Sequence, residues 1–440
     1  MVNIFNYLKS VFQILKSETK QNPLFLAVIL ILLTIPLGYA IGSIALGLLV
    51  FITLITINKA NLSIDKNLIF PIFLYLLMVL SLLWSHDIIV TLTALSKTAP
   101  FFLIPICFLV SPRLSEIQRQ KIISFFSYGM LLYSVYYLFK AVLRYTINQN
   151  SDVFFYHELV TEDVNAIHIS VYMTVACFYF ITKSNKTNLD KTAIVLLMLF
   201  IILLSSKNII IIFFVLLLVY FLKYNSNFSI KIGLKTSFFI VCLLAVVFTG
   251  KIKDRFWTEI ESNLKENTIN QSIGNKDNKV YNVSIIKAWT QEKFKPNDYF
   301  TGTAFRVYQI RIFIEMLQED SIVLKGYGLN AAQFRIAEKG ITHQVYLGDS
   351  THEGYQNKNF HNQYIQFFAE LGIFGLLLLV TMLAINLKNA IKTKDFISIS
   401  FAVLMISLFL TESFLSRQRG IIFFIVLYCL FNTRLNAKKS

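Results

Sequence analysis

Apolar runs of roughly 15 to 25 residues, separated by short polar breaks, recur along most of this 440-residue chain, and a helix needs about 20 such residues to cross ~30 Å of hydrocarbon. In lipid, every backbone N–H and C=O must be satisfied within the crossing structure, so runs of this length fold as membrane-spanning helices. Composition agrees: 55% of the residues are hydrophobic, 41 are Phe and 15% are charged, against about 25% charged in an ordinary soluble domain. These values exclude a soluble multidomain enzyme. They also exclude a disordered chain, which carries many charges and few aromatic rings. The expected class is an all-α, polytopic integral membrane protein.

Apolar windows predict about twelve spans, near 23–39, 41–57, 68–84, 99–110, 122–143, 164–182, 192–205, 209–222, 236–249, 372–387, 396–412 and 420–433. The first two form one long run split around Gly38 and Gly42, which predicts a tight helical hairpin. Residues 1–22 lack the continuous apolar core of a cleavable signal peptide. Instead Ile4, Phe5, Leu8, Val11, Phe12 and Leu15 recur at helical spacing among Lys9, Lys16 and Lys20, the pattern of a helix lying on the membrane surface. The domain organisation expected is an interfacial helix over 1–22, transmembrane helices over 23–249, a long external loop over 250–361, transmembrane helices over 362–433, and a tail over 434–440. Within the loop, Ile310, Phe313, Ile314 and Leu317 recur at steps of three and four, which predicts an amphipathic helix. A loop this long with its own helical pattern is usually functional.

The formal net charge of +16 is a topology signal. Cations crowd alternate short segments (Lys9, Lys16 and Lys20; Lys59 and Lys66; Arg113, Arg119 and Lys121; Lys183, Lys186 and Lys191; Lys388, Lys392 and Lys394), whereas the intervening ones hold Lys97, Lys140, Arg144, Lys207, Arg417 and Arg419. The positive-inside rule then puts both termini in the cytoplasm and the 250–361 loop on the far side. No nucleic-acid partner is implied. Cys107, Cys177, Cys242 and Cys429 sit inside apolar runs and read as small buried hydrophobes. His343, Asp349, His352 and Glu353 match no metal-ligand spacing, so no metal is assigned. No internal repeat and no matched pair of Gly- or Pro-broken spans is present, which argues against a transporter.

The densest polar stretch opens with His361-Asn362-Gln363-Tyr364 and runs to Gly372 and Gly375, which lie one helical turn apart. That glycine spacing suits close approach of a neighbouring helix. An imidazole accepts a proton from a hydroxyl at neutral pH. A histidine at the mouth of a span equally suits capping of a helix, and residue chemistry alone leaves both readings open.

The order His361-Asn362, nine residues, Gly372, two residues, Gly375, directly after a large loop, resembles the signature of the O-antigen ligase superfamily. Lys325-Gly326-Tyr327-Gly328-Leu329-Asn330 is similar to that family's Gly-x-Gly turn. The resemblance implies a multi-pass bacterial inner-membrane glycosyltransferase with its active site facing the periplasm. Its donor is an undecaprenyl-diphosphate-linked glycan, its expected acceptor a hydroxyl of the lipid A-core, and it needs no cofactor, nucleotide sugar or metal. A polymerase or a protein O-oligosaccharyltransferase with the same donor is the alternative; a lipid or glycan transporter is a remote one. The resemblance makes His361 the general base. Arg306 matches the family's loop arginine, and Lys207 stands where the family commonly has arginine. Both are expected to meet the donor diphosphate, with Arg417 and Arg419 as further contacts or as ion-pair partners of Glu412. Asn362, Tyr327, Tyr364 and His168 are the expected sugar or acceptor contacts, although a packing role suits His168, and Arg311 is expected to be structural.

Overall fold

The computed structural model describes residues 2–57, 65–160, 164–204, 206–224, 250–266, 268–270, 279–349 and 353–434. The expected span over 236–249, together with Lys59, Cys242 and His352, lies outside these described residues. Helices dominate them. Their order begins α1 (Val2–Gln21), α2 (Leu24–Thr34), α3 (Tyr39–Thr56), α4 (Lys66–Leu80), α5 (Ile88–Thr98), α6 (Pro100–Val110) and α7 (Glu116–Asn148). It continues through α8 (Tyr156–Val160), α9 (Ala166–Thr182), α10 (Asn188–Leu203), α11 (Lys207–Lys223) and α12 (Gly250–Leu264). Next come β1 (Tyr281–Val283), α13 (Ile285–Thr290), β2 (Asp298–Phe300), α14 (Gly302–Glu319) and α15 (Gln333–Thr342). The chain closes with α16 (Gln363–Thr393), α17 (Phe396–Phe409) and α18 (Gln418–Asn432).

Five of the described helical units are long and apolar enough to cross a membrane: Tyr39–Thr56, Lys66–Leu83, Ile88–Val110, Glu116–Asn148 and Gln363–Thr393. Shorter apolar helices are Leu24–Thr34, Ala166–Thr182, Phe396–Phe409 and Gln418–Asn432. Local sequence explains the boundaries. Asp87 caps α5 by accepting the Val90 N–H, and α5 runs straight into α6 because Pro100 occupies the first turn, where its missing N–H costs nothing. The short span expected at 99–110 is thus the second half of a longer helical unit. Ser115 and Gln118 form a reciprocal capping box at the start of α7. Glu18 of α1 meets Lys121 and Gln118 of α7, docking the N-terminal helix on the bundle.

α9 and α18 are apolar on every side and buried along nearly their whole length, so they form the centre of the bundle. Cys107, Cys177 and Cys429 are buried free thiols.

The segment between α12 and α16 has a core of its own. β1 and β2 pair in parallel, with Tyr281 opposite Asp298 and Val283 opposite Phe300. Against this small sheet α14 buries Phe305, Tyr308, Ile312, Phe313 and Met316. The helix expected here is present, but its buried face differs from the expected one: Ile310 and Ile314 are exposed. Aromatic rings decide the orientation, because Phe300 packs on both Phe305 and Tyr308, and such large side chains dominate core energetics.

One junction fixes this segment to the bundle. α16 is interrupted at Gly372, whose φ of 68° is left-handed. The turn at 323–328 fills the interruption: Tyr327 N–H donates to the Ala369 carbonyl, Gly328 N–H to Glu370, and Ile373 N–H to Val323, at 2.8–2.9 Å. A Cβ on Gly372 would lie 2.2 Å from the Leu324 carbonyl oxygen, and one on Gly326 2.3 Å from the Glu370 carbonyl carbon. Gly372 therefore admits a loop backbone, not the neighbouring helix that its spacing suggests. Residues 325–329 also meet the α4–α5 region, since Trp84, between the two helices, donates to the Lys325 carbonyl and Thr91 of α5 to the Leu329 carbonyl.

Candidate active site

His361 immediately precedes α16. Asn362 caps that helix, its Oδ1 accepting from the N–H groups of Tyr364 and Ile365, while its Nδ2 donates to the Leu410 carbonyl. The cap ties the start of α16 to the end of α17. His361 itself has φ of 46°, a left-handed conformation that costs a non-glycine residue about 1–2 kcal/mol. Strain of this kind persists where the surroundings enforce it. Here the Asn359 side chain accepts the His361 N–H, and the imidazole stands edge-on to the Phe305 ring.

The His361 Nδ1 lies 3.3 Å from Glu412 Oε2. A proton on Nδ1 directed at this carboxylate leaves the basic lone pair on Nε2, the division of labour in which an acid orients and supports a histidine base. Glu412 stands just beyond the end of α17 and is largely buried. Among the described residues its ion-pair partner is His361, not Arg417 or Arg419 as its neighbourhood in sequence suggests.

The cations converge on the same corner. Arg306, on the first turn of α14, donates through Nε to the Thr411 carbonyl and through Nη1 to the Gly302 carbonyl, both at 2.9 Å. Its Nη2 has no hydrogen-bond partner among the described residues. Lys207 opens α11, an end of a helix where positive charge is unfavourable, and its ammonium pairs with Glu259 of α12. Glu259 also accepts from the Thr303 N–H at 3.0 Å and from the Thr303 hydroxyl. Burial alone would raise the Glu259 carboxyl, but Lys207, Thr303 and Arg306 together hold it below the usual carboxylate range. Asn208, next to Lys207, donates to the Ser407 carbonyl and the Thr411 hydroxyl. Lys207 thus pairs with Glu259, and Arg306, bonded to the Thr411 carbonyl, acts as a nearby charge on both Glu259 and Glu412, the partner of His361.

Other expected site residues lie elsewhere. His168 is 4% exposed, stacked on Phe414 at 4.2 Å. Tyr327 is 1% exposed, its hydroxyl donating to Asp320 and its ring edge-on to His86 and Phe334. Its place is in the core of the segment between α12 and α16, not on an open sugar-stacking surface. Tyr364 donates to the Ile406 carbonyl at 3.0 Å and supports the α16–α17 corner. Arg419 is buried over the Tyr39 ring, 4.3 Å from its centre, while Arg417 is exposed at the start of α18. Arg311 pairs with Glu315 and donates to the Gln291 carbonyl, a packing role. Sequence reasoning missed Glu259 altogether, because nothing in a solvated amphipathic helix marks which acid will face Lys207. Glu412 did carry a signal, being a carboxyl at the edge of a nearly uncharged apolar run.

Residues 192–380 match the family model described as O-Antigen ligase. No curated protein sequence matches the chain. The matched stretch contains Lys207, Glu259, Arg306, the turn at Gly326–Gly328 and the His361–Gly375 segment, whereas Glu412 and the end of α17 lie beyond it. Residues 192–380 thus carry an O-antigen ligase family domain.

Proposed function

We propose that the protein is a membrane glycosyltransferase of the ligase type, which moves an O-antigen-type glycan from undecaprenyl diphosphate to a hydroxyl of the lipid A-core. The observation that carries this reading is the convergence of the His361–Glu412 pair with the charges of Arg306 and Lys207 at one corner. The reaction needs a base for the acceptor and cations for the leaving group. Nε2 of His361 takes the hydroxyl proton as the acceptor oxygen attacks the anomeric carbon. The bond from that carbon to the phosphate oxygen breaks, its electron pair leaves with the lipid diphosphate, and the anomeric configuration inverts. Glu412 supports the imidazolium that forms. Arg306 faces the departing diphosphate, for which a guanidinium fork is well matched, and Lys207 adds a point charge beside it.

About twelve spans, cytoplasmic termini and a periplasmic site in the bacterial inner membrane complete the proposal, supported by the distribution of cations and the positive-inside rule. Polymerase and protein-glycosylating activities use the same donor chemistry and differ in the acceptor. Purified protein incubated with lipid-diphosphate glycan and, in separate reactions, rough lipopolysaccharide, a second lipid-linked repeat unit or an acceptor protein distinguishes them. Mass gain on rough lipopolysaccharide is the expected result. Gain on another acceptor replaces the ligase assignment, and gain on none removes the transferase reading.

A further inference from the structure

Two deeply buried polar residues take no part in the chemistry described above. Gln366 is 5% exposed and Glu370, one turn further along α16, is 3% exposed. A carboxyl so enclosed requires partners. Glu370 has the side-chain amide of Gln366, whose Nε2 donates to Oε1 at 2.5 Å. An amide has one donor end and one acceptor end. With its nitrogen turned to Glu370, Gln366 presents Oε1 in the other direction. There it accepts from the Ser413 hydroxyl at 3.2 Å and from the Phe360 N–H at 3.4 Å. These donors belong to the chain neighbours of Glu412 and His361. One oxygen thus joins the two backbone segments that carry the acid–histidine pair.

We propose that Gln366 and Glu370 are positioning residues: Gln366 sets the separation of His361 and Glu412, and Glu370 fixes which way its amide faces. The proposal rests on the transfer reading given above. It also gives the glycine turn a part in the site, since the Glu370 carbonyl accepts from the Gly328 N–H. Docking of the external segment and geometry of the pair are then mechanically linked.

The test measures release of undecaprenyl diphosphate from an O-antigen-bearing donor, with rough lipopolysaccharide present, by full-length protein in nanodiscs. Gln366→Leu and Glu370→Leu are expected to lower kcat about tenfold to a hundredfold while donor KM stays within about twofold, because a small misplacement of reacting groups is costly. Glu370→Gln keeps an oxygen able to accept from Gln366 and is expected to restore most of the rate. Adding Gln366→Leu to Glu412→Gln is expected to cost little beyond Glu412→Gln alone, the non-additivity of residues acting through one pair. Independent, multiplying losses with no rescue by Glu370→Gln overturn the proposal. Should the leucine variants fail to fold, Ser413→Ala decides: a several-fold lower kcat at unchanged Tm supports the clamp, and wild-type kcat refutes it. If wild type releases no lipid diphosphate, the transfer reading itself fails; if His361→Ala and Glu412→Gln lose activity while Gln366, Glu370 and Ser413 variants are unimpaired, only the clamp does.

Discussion

Gly326 lies against the backbone of Glu370 and Leu371, and Gly372 against that of Leu324 and Lys325, both with left-handed φ (67° and 68°) and neither with room for a methyl group. The contact lets the turn at 323–328 enter the interruption in α16 and hydrogen-bond to both sides of it. Since His361 heads the same helix, the two glycines hold the candidate base relative to the segment that carries Arg306.

Gly326→Ala and Gly372→Ala are each expected to lower Tm by several degrees and to reduce transfer strongly. Each combines a left-handed penalty of about 1–2 kcal/mol with displacement of the opposing backbone. Gly47→Ala, with nothing within 4 Å of the added methyl group, is the comparison and should leave Tm essentially unchanged. Thermal unfolding in nanodiscs checks all three, and equal Tm values across the set would remove the backbone junction from the account.

For the acid–histidine pair, His361→Ala should lower kcat by about a hundredfold or more, in the range general-base catalysis supplies. Glu412→Gln should lower it less, and the double variant should be scarcely worse than His361→Ala, because Glu412 acts through the imidazole. Donor retention by the purified variants separates lost chemistry from lost binding. Additive losses would mean that the two residues act independently.

Arg306→Ala should raise donor KM and lower kcat/KM by about tenfold to a hundredfold, the scale of a charge-assisted hydrogen bond. Arg306→Lys should recover part of that loss by keeping the charge without the fork, and Lys207→Arg should be tolerated. Steady-state kinetics against donor concentration gives the comparison. Equal, mild effects of Ala and Lys at position 306 would identify an ordinary surface arginine.

Glu259 gives a pH signature. Its carboxyl is held below the usual range in the folded protein, despite the opposing effect of burial, by Lys207, Thr303 and Arg306. The stability it contributes is therefore fully present above the ordinary carboxylate value of about 4.3. It fades as pH falls through the lower folded value, where Glu259 takes up a proton. Hydrogen exchange along Gly250–Leu264 should become faster on acidification through that window. Glu259→Gln should exchange faster at neutral pH and lose that pH dependence. A variant matching wild type at every pH would detach Glu259 from the docking of α12.

Much of the architecture was legible because apolar runs act locally. Asp87, Pro100, Ser115 and Gln118 set helix boundaries through bonds to their own neighbours. His361 and Arg306 were legible as chemistry, one at the mouth of an apolar run and the other on the first turn of a loop helix. What could not be read was pairing across long separations. Gly372 meets Leu324, Lys207 meets Glu259, and Gln366 meets Ser413 only through tertiary packing. The face of α14 was misassigned for a related reason: aliphatic periodicity favoured Ile310 and Ile314, while Phe300 and Phe294, contributed from outside the helix, captured Phe305 and Tyr308.

The most direct measurement is a mass-resolved transfer assay in nanodiscs, comparing wild type with His361→Ala on the same lipid-diphosphate donor and rough lipopolysaccharide. Wild type should extend the lipid A-core by whole glycan units and release one lipid diphosphate per transfer, while His361→Ala, equally folded and equally able to hold donor, should do neither. Equal product from both proteins would contradict the central claim.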